Sequence, residues 1–441
     1  MDLLKRKIEQ DLIKWKNTKN HKPLIVKGCR QCGKTYSVKK FAEENYKYVV
    51  YINFFSNPDY VSVFSGSLEV DNLTMMMSAV LGPNVMFVPN ETVIILDEIQ
   101  ECPEARTALK FFKTDGRYDV IGTGSLLGVK GYGKEPKSVP VGYETVITMY
   151  PLDFEEFLWA NGINEMLIEK LKEHLIAKTP VEEALHNRYR QLLLQNVAVG
   201  GMPDVVQTFV DTKQMNIVLQ MQRDIVRSYE DDMVKYANSK DKSLIKECFQ
   251  SIPKQLAKEN KKFQYSVIKK GSTASRFAGS LQWIEDAGII TRCYNLFTTE
   301  LPLEGNANED IFKVYMVDTG LFISMLEDGT QFDVLSGNLL GYKGAIFENL
   351  MADFFTKMGR KLYYFHKDSG LEIDFFIRYK GKCTPIEVKA TKGNTKSLKT
   401  VLKNTEVYHL DSAIKLGDYN IGEENNILTL PLYMGFLLND F

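Results

Sequence analysis

Two sets of residues in this 441-residue chain have the types and spacing to do chemistry. The first is Gly28-Cys29-Arg30-Gln31-Cys32-Gly33-Lys34-Thr35, a complete G-x-x-x-x-G-K-[ST] pattern. Gly28 and Gly33 permit a loop whose backbone N–H groups, from Cys29, Arg30, Gln31 and Cys32, turn inward onto phosphate oxygens. The helix that follows points its positive end at the same anion. Lys34 reaches the β- and γ-phosphates, Thr35 offers a hydroxyl to Mg²⁺, and Tyr36 follows within the nucleotide-binding stretch. Farther on, the apolar run Thr92-Val93-Ile94-Ile95-Leu96 ends in Asp97 and Glu98. Asp97 is placed to hold Mg²⁺ through water, and Glu98 to polarise the water that attacks the γ-phosphate. Tyr118 to Ser125 is another apolar run, and Thr123 or Ser125 at its end is placed to sense that phosphate.

The second set lies near the C-terminus: Glu348, Asp374, Glu387 and Lys389. Strand side chains alternate faces, so Asp374 joins Glu372 on one face and Glu387 joins Lys389. Two carboxylates beside a lysine can bind Mg²⁺, activate water and stabilise a pentavalent phosphate. Asp374 and Glu387 are the expected metal ligands, Lys389 steadies the water or phosphate, and Glu348 completes the cluster from a helix. The bland reading is a hairpin with exposed charges. ATP and Mg²⁺ are the expected cofactors.

The elements that must position these residues follow from periodicity. Leu4, Ile8, Leu12 and Trp15 recur at helical spacing within Asp2 to Lys16. Leu24 to Val26 reads as a buried strand, Thr35 to Asn45 as a helix and Tyr48 to Phe54 as a second strand. A helix is expected over Asp71 to Leu81, then the Asp97 strand, a helix over Pro103 to Lys113 and the strand to Ser125. Gly128 to Lys137 reads as a mobile Gly/Lys loop. Tyr143 to Met149 returns as a strand, and Pro151 breaks it before a helix over Asp153 to Ala160. Together these describe an α/β nucleotide-hydrolase sheet. Asn161 to Phe249 is almost entirely helical, and Glu230-Asp231-Asp232 within it reads as a solvated helix face.

Ser251 to Phe297 suggests helix, helix and β-wing. Lys254, Lys258, Lys261, Lys262, Lys269, Lys270 and Arg276 against Glu259 make it locally basic, so DNA is an expected partner; packing alone is the equal alternative. Phe347 opens a helix, and strands are expected over Leu362 to Phe365, Glu372 to Ile377 and Pro385 to Lys389.

Composition sets the outer limits. With 55 Lys and Arg against 56 Asp and Glu, the net charge of −1 leaves only a local patch for nucleic acid. The start lacks a signal-peptide core and no apolar run is membrane-spanning, so a cytoplasmic location and no membrane partner are expected. The six cysteines, at 29, 32, 102, 248, 293 and 383, make neither a disulfide framework nor a zinc spacing. Cys29 and Cys32 do form a C-x-x-C inside the phosphate loop. A disulfide there would distort the loop and shut off nucleotide binding; incidental thiols are the other reading.

The phosphate loop with Arg30, Leu96-Asp97-Glu98-Ile99-Gln100, Thr123-Gly124-Ser125 and Tyr150-Pro151-Leu152-Asp153-Phe154-Glu155-Glu156-Phe157 resemble the motifs of one family. It is the large prokaryotic family of AAA+-type ATPases that carry an uncharacterised C-terminal region. Gly200-Gly201-Met202-Pro203-Asp204 and Val317-Asp318-Thr319-Gly320-Leu321 are similar to its later motifs. The chain departs at Val141-Gly142-Tyr143, where relatives commonly carry Gly-Arg, so the arginine that completes the γ-phosphate site has no assignment. The C-terminal set resembles the restriction-endonuclease-like nuclease fold. The resemblance implies an α/β P-loop NTPase (AAA+-like) core over residues 1–160, a helical lid over 161–250, a winged helix over 251–305 and a restriction-endonuclease-like α/β domain over 306–441. It implies an ATPase that controls a nuclease-like domain. The rival is a nucleotide-dependent switch or scaffold acting on a protein partner or a second copy, with a C-terminal domain that only binds.

Overall fold

Five short runs of apolar, β-branched residues pair in parallel because helical crossovers return each strand in the same direction. The computed structural model describes residues 4–125, 142–236, 242–258, 262–338, 342–390 and 395–439. The Gly128 to Lys137 stretch therefore lies outside the described residues, as do Val141, Glu259 and Lys261. The chain divides into two units. The first comprises residues 1–151, 231–243 and 286–288, the second the remainder.

In the first unit the elements are α1 (Ile8–Asn17), β1 (Leu24–Lys27), α2 (Lys34–Asn45), β2 (Tyr48–Asn53), α3 (Val70–Leu81), β3 (Thr92–Asp97), α4 (Pro103–Asp115), β4 (Asp119–Gly124) and β5 (Thr145–Thr148). Among the described residues the strand order is β2-β3-β4-β1-β5, parallel throughout. Alternation divides the core. Ile94 and Leu96 of β3 pack with α3 and α4, through Leu73, Met77, Ala108 and Phe112. Val93 and Ile95 face the other way, onto Leu12, Val38 and Phe41 of α1 and α2. A sheet covered on both faces needs the near-continuous apolar strands that the sequence has. The C-terminal edge of the sheet is left to polar residues.

The second unit opens with α5 (Phe154–Ala160), whose N-cap Asp153 forms a capping box with Glu156. It continues through α6 (Glu165–Ala177), α7 (Glu183–Val199), α8 (Pro203–Thr212) and most of α9 (Met215–Tyr236). Then come α10 (Lys242–Leu256), α11 (Tyr265–Ile268), α12 (Ala274–Asp286), β6 (Ile290–Leu296), β7 (Ala307–Met316), α13 (Thr319–Ser324), α14 (Thr330–Ser336) and α15 (Lys343–Lys357). Strands β8 (Leu362–His366), β9 (Glu372–Tyr379), β10 (Lys382–Val388), β11 (Ala413–Gly417), β12 (Gly422–Glu424) and β13 (Ile427–Pro431) follow.

The sheet of this unit runs β12-β13-β11-β10-β9-β8-β6-β7 among the described residues. Strand β6 pairs antiparallel with β7 and parallel with β8, so the expected wing strand is an integral strand of the larger sheet. The expected boundary between residues 305 and 306 falls inside the β6–β7 connection. Of the stretch 161–250, expected as a helical lid, residues 231–243 lie in the first unit and the rest in the second, where α7 packs on α13 and α14.

Two glycine-bearing motifs far apart in sequence meet here. Asp318 caps α13 by accepting from Leu321 N at 2.9 Å and also accepts from Gly201 N at 2.7 Å. A Cβ on Gly320 would sit 2.4 Å from Gly200 N, and one on Gly201 would sit 2.1 Å from Leu152 O. Only glycines let these backbones approach. Asp318→Ala removes a charged acceptor from two buried N–H groups, so it should destabilise the second unit by about 3 kcal/mol. Urea unfolding of the full chain measures this, and Asp318→Asn should recover part of the loss.

Candidate functional site

The phosphate loop leaves β1 and is anchored before it enters α2. Gly28 runs against Met149, where a Cβ would sit 2.0 Å from the carbonyl oxygen, so no larger residue fits. Gly33, at φ 96°, takes the left-handed turn that starts α2. Gln31 is also left-handed, at φ 63°. Arg6, from the start of the chain, donates to Cys32 O at 3.0 Å and Tyr150 O at 2.7 Å, tying the loop to the segment after β5. Lys34 Nζ donates to Gly28 O at 3.0 Å and Cys29 O at 2.7 Å, so its ammonium lies inside the loop. Tyr36 is exposed on the first turn of α2. From the segment after α12, Gly288 comes close enough that its Cβ would lie 3.3 Å from Cys29 N.

Asp97 gathers the rest. Its carboxylate accepts from Thr35 Oγ1 at 3.0 and 3.1 Å, from Tyr51 Oη at 2.6 Å, from Asn53 Nδ2 at 2.9 Å and from Thr123 Oγ1. The Glu98 N–H adds a bond of 3.2 Å. Hydroxyl and amide donors meet a carboxylate that is 2% exposed, which offsets the cost of burying its charge. Burial, together with the Asp97 hydrogen bond, pushes the Tyr51 phenol up to about 12, so it stays a donor. Glu98 sits one residue beyond, in left-handed backbone at φ 53°, and accepts from Gln100 Nε2. The Ser125 hydroxyl is buried without a hydrogen-bond partner.

These residues fit Mg·ATP. Thr35 and Asp97 sit side by side in a direct hydrogen bond of 3.0 Å, where the pair would serve a metal and its water, Lys34 is beside the loop carbonyls, and the Ser125 hydroxyl has no hydrogen-bond partner. Of the two residues expected to sense phosphate, Thr123 or Ser125, Thr123 donates to Asp97.

Arg30 pairs with Asp232 at 2.6 Å. This corrects the reading of Glu230-Asp231-Asp232 as a solvated face: Asp232 is 8% exposed, and burial raises its carboxyl against the pull of Arg30. Sequence reasoning also missed Arg6, Tyr51, Asn53 and Gly288. Tyr51 and Asn53 had a signal, since polar residues ending an apolar strand next to the Asp97 strand share its ligand-facing edge.

In the second unit Glu348, Asp374, Glu387 and Lys389 come together, with two partners the sequence did not suggest. Lys313 of β7 is 1% exposed and donates to Glu372 Oε1 at 2.6 Å, with Glu348 Oε2 at 3.8 Å. Burial lowers this ammonium, but Glu348, Glu372 and Asp374 raise it further, so it remains charged. Tyr315 donates to Glu348 Oε2 at 3.2 Å. A lone lysine inside Ile311-Phe312-Lys313-Val314-Tyr315-Met316 was the available signal. Lys389 Nζ lies 2.6 Å from Glu387 Oε1, and Asp374 Oδ2 accepts from Val388 N at 2.8 Å. Burial lowers Lys389 as well, yet Glu387, Asp374 and Glu348 raise it overall; it is a cation, not a base. Glu387 Oε2 is buried without a hydrogen-bond partner. Among the described residues no group of three or more His, Cys, Asp and Glu side chains is arranged to hold a metal ion. No described helix is long and apolar enough to cross a membrane.

Residues 20–158 match the AAA domain family. Residues 190–331 match a domain of unknown function, DUF8612, and 343–433 another, DUF4143. The chain therefore carries an AAA-type P-loop ATPase domain in its N-terminal part. No curated protein matches it. Among solved structures it is similar to a Walker-type ATPase of Pyrococcus abyssi, with 14% identity over 74% of this chain and 96% of that one and a TM-score of 0.43. It is similar to ORC1 of Aeropyrum pernix in complex with DNA, with 13% identity, 75% and 90% coverage and a TM-score of 0.28. It is also similar to AMPPCP-bound DnaA of Aquifex aeolicus, with 12% identity, 63% and 86% coverage and a TM-score of 0.29.

Asp97→Asn places an amide donor against Thr35, Tyr51, Asn53 and Thr123. In EDTA without nucleotide, where no metal role exists, it should still destabilise the first unit by about 2–4 kcal/mol. A thermal melt unchanged from wild type would show that the carboxylate is not the structural acceptor.

Proposed function

We propose that the chain is a Mg²⁺-dependent ATPase whose nucleotide cycle controls its C-terminal α/β region. The observation that carries this reading is Thr35 against Asp97 at 3.0 Å, directly before Glu98 and across from Lys34. Mg²⁺ supplies charge neutralisation for the β- and γ-phosphates. Thr35 and Asp97 would hold it, the loop from Gly28 to Gly33 would cradle phosphate through N–H groups, and Lys34 would exchange carbonyl oxygens for charged ones. Glu98 would orient the attacking water, and Ser125 would meet the γ-phosphate. Exposed Lys269, Lys270 and Arg276 support nucleic-acid phosphates as a partner of the second unit.

Lys34→Ala should weaken ATP binding by about a hundredfold or more, since a charged hydrogen-bond donor is lost. Glu98→Gln should bind ATP and turn it over about a hundredfold more slowly. Isothermal titration and steady-state phosphate release measure the two. Equal turnover by wild type and Glu98→Gln would take the hydrolytic role from Glu98. Binding without turnover by the wild type would favour a nucleotide-dependent switch.

A second reading concerns the carboxylate–lysine cluster, and the unused, buried Glu387 Oε2 favours it. Mg²⁺ commonly takes only one or two carboxylates and fills its shell with water and phosphate oxygens, so Asp374 and Glu387 suffice as donors. Lys389 would steady a phosphodiester, while Glu348, engaged by Tyr315 and Lys313, would hold the electrostatics. The reaction class is metal-assisted phosphodiester hydrolysis. Wild type should cut DNA or RNA with Mg²⁺ or Mn²⁺, and Lys389→Ala should cut about a hundredfold more slowly. If neither nucleic acid is cut under any nucleotide or metal condition, the region is a binding module.

A further inference from the structure

The phosphate loop contains a pair of thiols that the nucleotide chemistry does not use. Cys29 and Cys32 are 4% and 0% exposed, and the Cys29 thiol hydrogen-bonds to Cys32. Two cations contact the second cysteine: Lys34 Nζ is 3.9 Å from Cys32 Sγ, and Arg6 donates to the carbonyl of the same residue at 3.0 Å. The Cys32 thiol donates to Met149 O at 3.4 Å, and a Cβ on Gly28 would lie 3.2 Å from the sulfur. Cys32 is thus fixed under the loop, facing its partner.

We propose that Cys29 and Cys32 are an oxidation site, closing to a disulfide that switches the phosphate loop off. The oxidant is a peroxide. The Cys32 thiolate attacks the peroxide O–O bond, becoming a sulfenic acid and releasing hydroxide, which takes a proton to become water. The Cys29 thiol then attacks that sulfur, forming the S–S bond and expelling a second water. Two thiols lose two electrons and two protons in all, and the peroxide is reduced.

The surroundings separate this pair from the other cysteines. The Cys29 hydrogen bond draws the Cys32 thiol down to about 6 against burial, and the charges of Lys34 and Arg6 draw it in the same direction. Cys102, Cys248 and Cys383 are instead pushed up to about 12 by burial, and Cys293 is pushed up as well. A thiolate, not a thiol, reacts with peroxide, so oxidation should select this pair. The loop N–H groups of Cys29 to Cys32 are the phosphate cradle, and a bond between their side chains re-aims them. The sulfurs are covered, so reaction requires the loop to open, and bound Mg·ATP should hold it shut.

The effect on nucleotide rests on the ATP-site reading, whereas the disulfide does not. The full-length protein is treated with hydrogen peroxide, with and without Mg·ATP, and mapped by mass spectrometry under non-reducing conditions. A Cys29–Cys32 peptide lighter by two hydrogens is expected, forming more slowly with Mg·ATP and reverting with dithiothreitol. In parallel, the ratio of ATP affinities before and after oxidation should be about tenfold or more for wild type, as expected for loss of one or two charged hydrogen bonds. The same ratio should be near unity for Cys32→Ser and for Cys29→Ala, whatever their own affinities. If these thiols stay reduced while Cys102 or Cys383 is oxidised, the site is wrong. If the disulfide forms and wild-type affinity is unchanged, the switch is wrong. If the reduced protein binds no ATP, the nucleotide reading fails while the mapping still decides the modification.

Discussion

The Asp97 carboxylate is the constraint on which the first unit depends. A charge that is 2% exposed is tolerated only where donors replace water, and here four side chains supply them from three separate segments, α2, β2 and β4. Asn53 stands beside Asp97 in the β2–β3 register, and Leu96 stands beside Gly122 in the β3–β4 register. A slip of either neighbour by one residue would send Tyr51 or Thr123 to the wrong face and leave the carboxylate short of donors. The strand order then places β1 on the far side of β4, so the phosphate loop and Asp97 open on the same edge of the sheet. Position and chemistry are set by one acceptor.

The two units handle buried carboxylates differently, and the difference bears on what each can bind. Around Asp97 the donors are neutral hydroxyls, an amide and a backbone N–H. Neutral donors leave the carboxylate its full charge, and a divalent cation gains from it. Around Glu348, Glu372, Asp374 and Glu387 the partners include two ammoniums, Lys313 and Lys389, which cancel part of the acidic charge permanently. A metal there would compete with built-in cations, although Asp374 is met by the neutral Val388 N–H and Glu387 Oε2 is buried without a hydrogen-bond partner. Electrostatics therefore favours the tighter metal site at Asp97.

What could be read from sequence was what is local. The G-x-x-x-x-G-K-T stretch carries its loop, helix start and lysine in consecutive residues, and Asp97-Glu98 ends a strand that is apolar by itself. Helix and strand positions follow for the same reason, as with Val70–Leu81 against the expected Asp71 to Leu81. Contacts set by tertiary approach were not legible. Asp232 belongs to an acidic triplet that resembles any solvated helix face, and only its pairing with Arg30 across the fold distinguishes it. Arg6 sits in a basic start that gives no hint of the loop carbonyl it holds. The strand after α12 looked like a local wing because the parallel pairing of β6 with β8 joins residues far apart in sequence.

The nucleotide site satisfies its own polar groups, and this shapes how a triphosphate would enter it. Lys34 donates to two loop carbonyls, and Thr35 donates to Asp97. These bonds keep the lysine and the hydroxyl near where phosphate and metal need them, which reduces the ordering cost of binding. The lysine bonds also have to be given up. An ammonium gains more from a phosphate oxygen than from a neutral carbonyl, so that exchange runs toward the ligand. Thr35 need not give up its bond to Asp97, because a hydroxyl oxygen would offer a lone pair to Mg²⁺ while its hydrogen still points at the carboxylate. Phosphate and metal would act on different groups: phosphate would draw Lys34 from the loop carbonyls, and the cation would sit beside Asp97 and Thr35. The two would still be coupled through charge, because a divalent cation beside Asp97 would neutralise the same phosphates that Lys34 reaches.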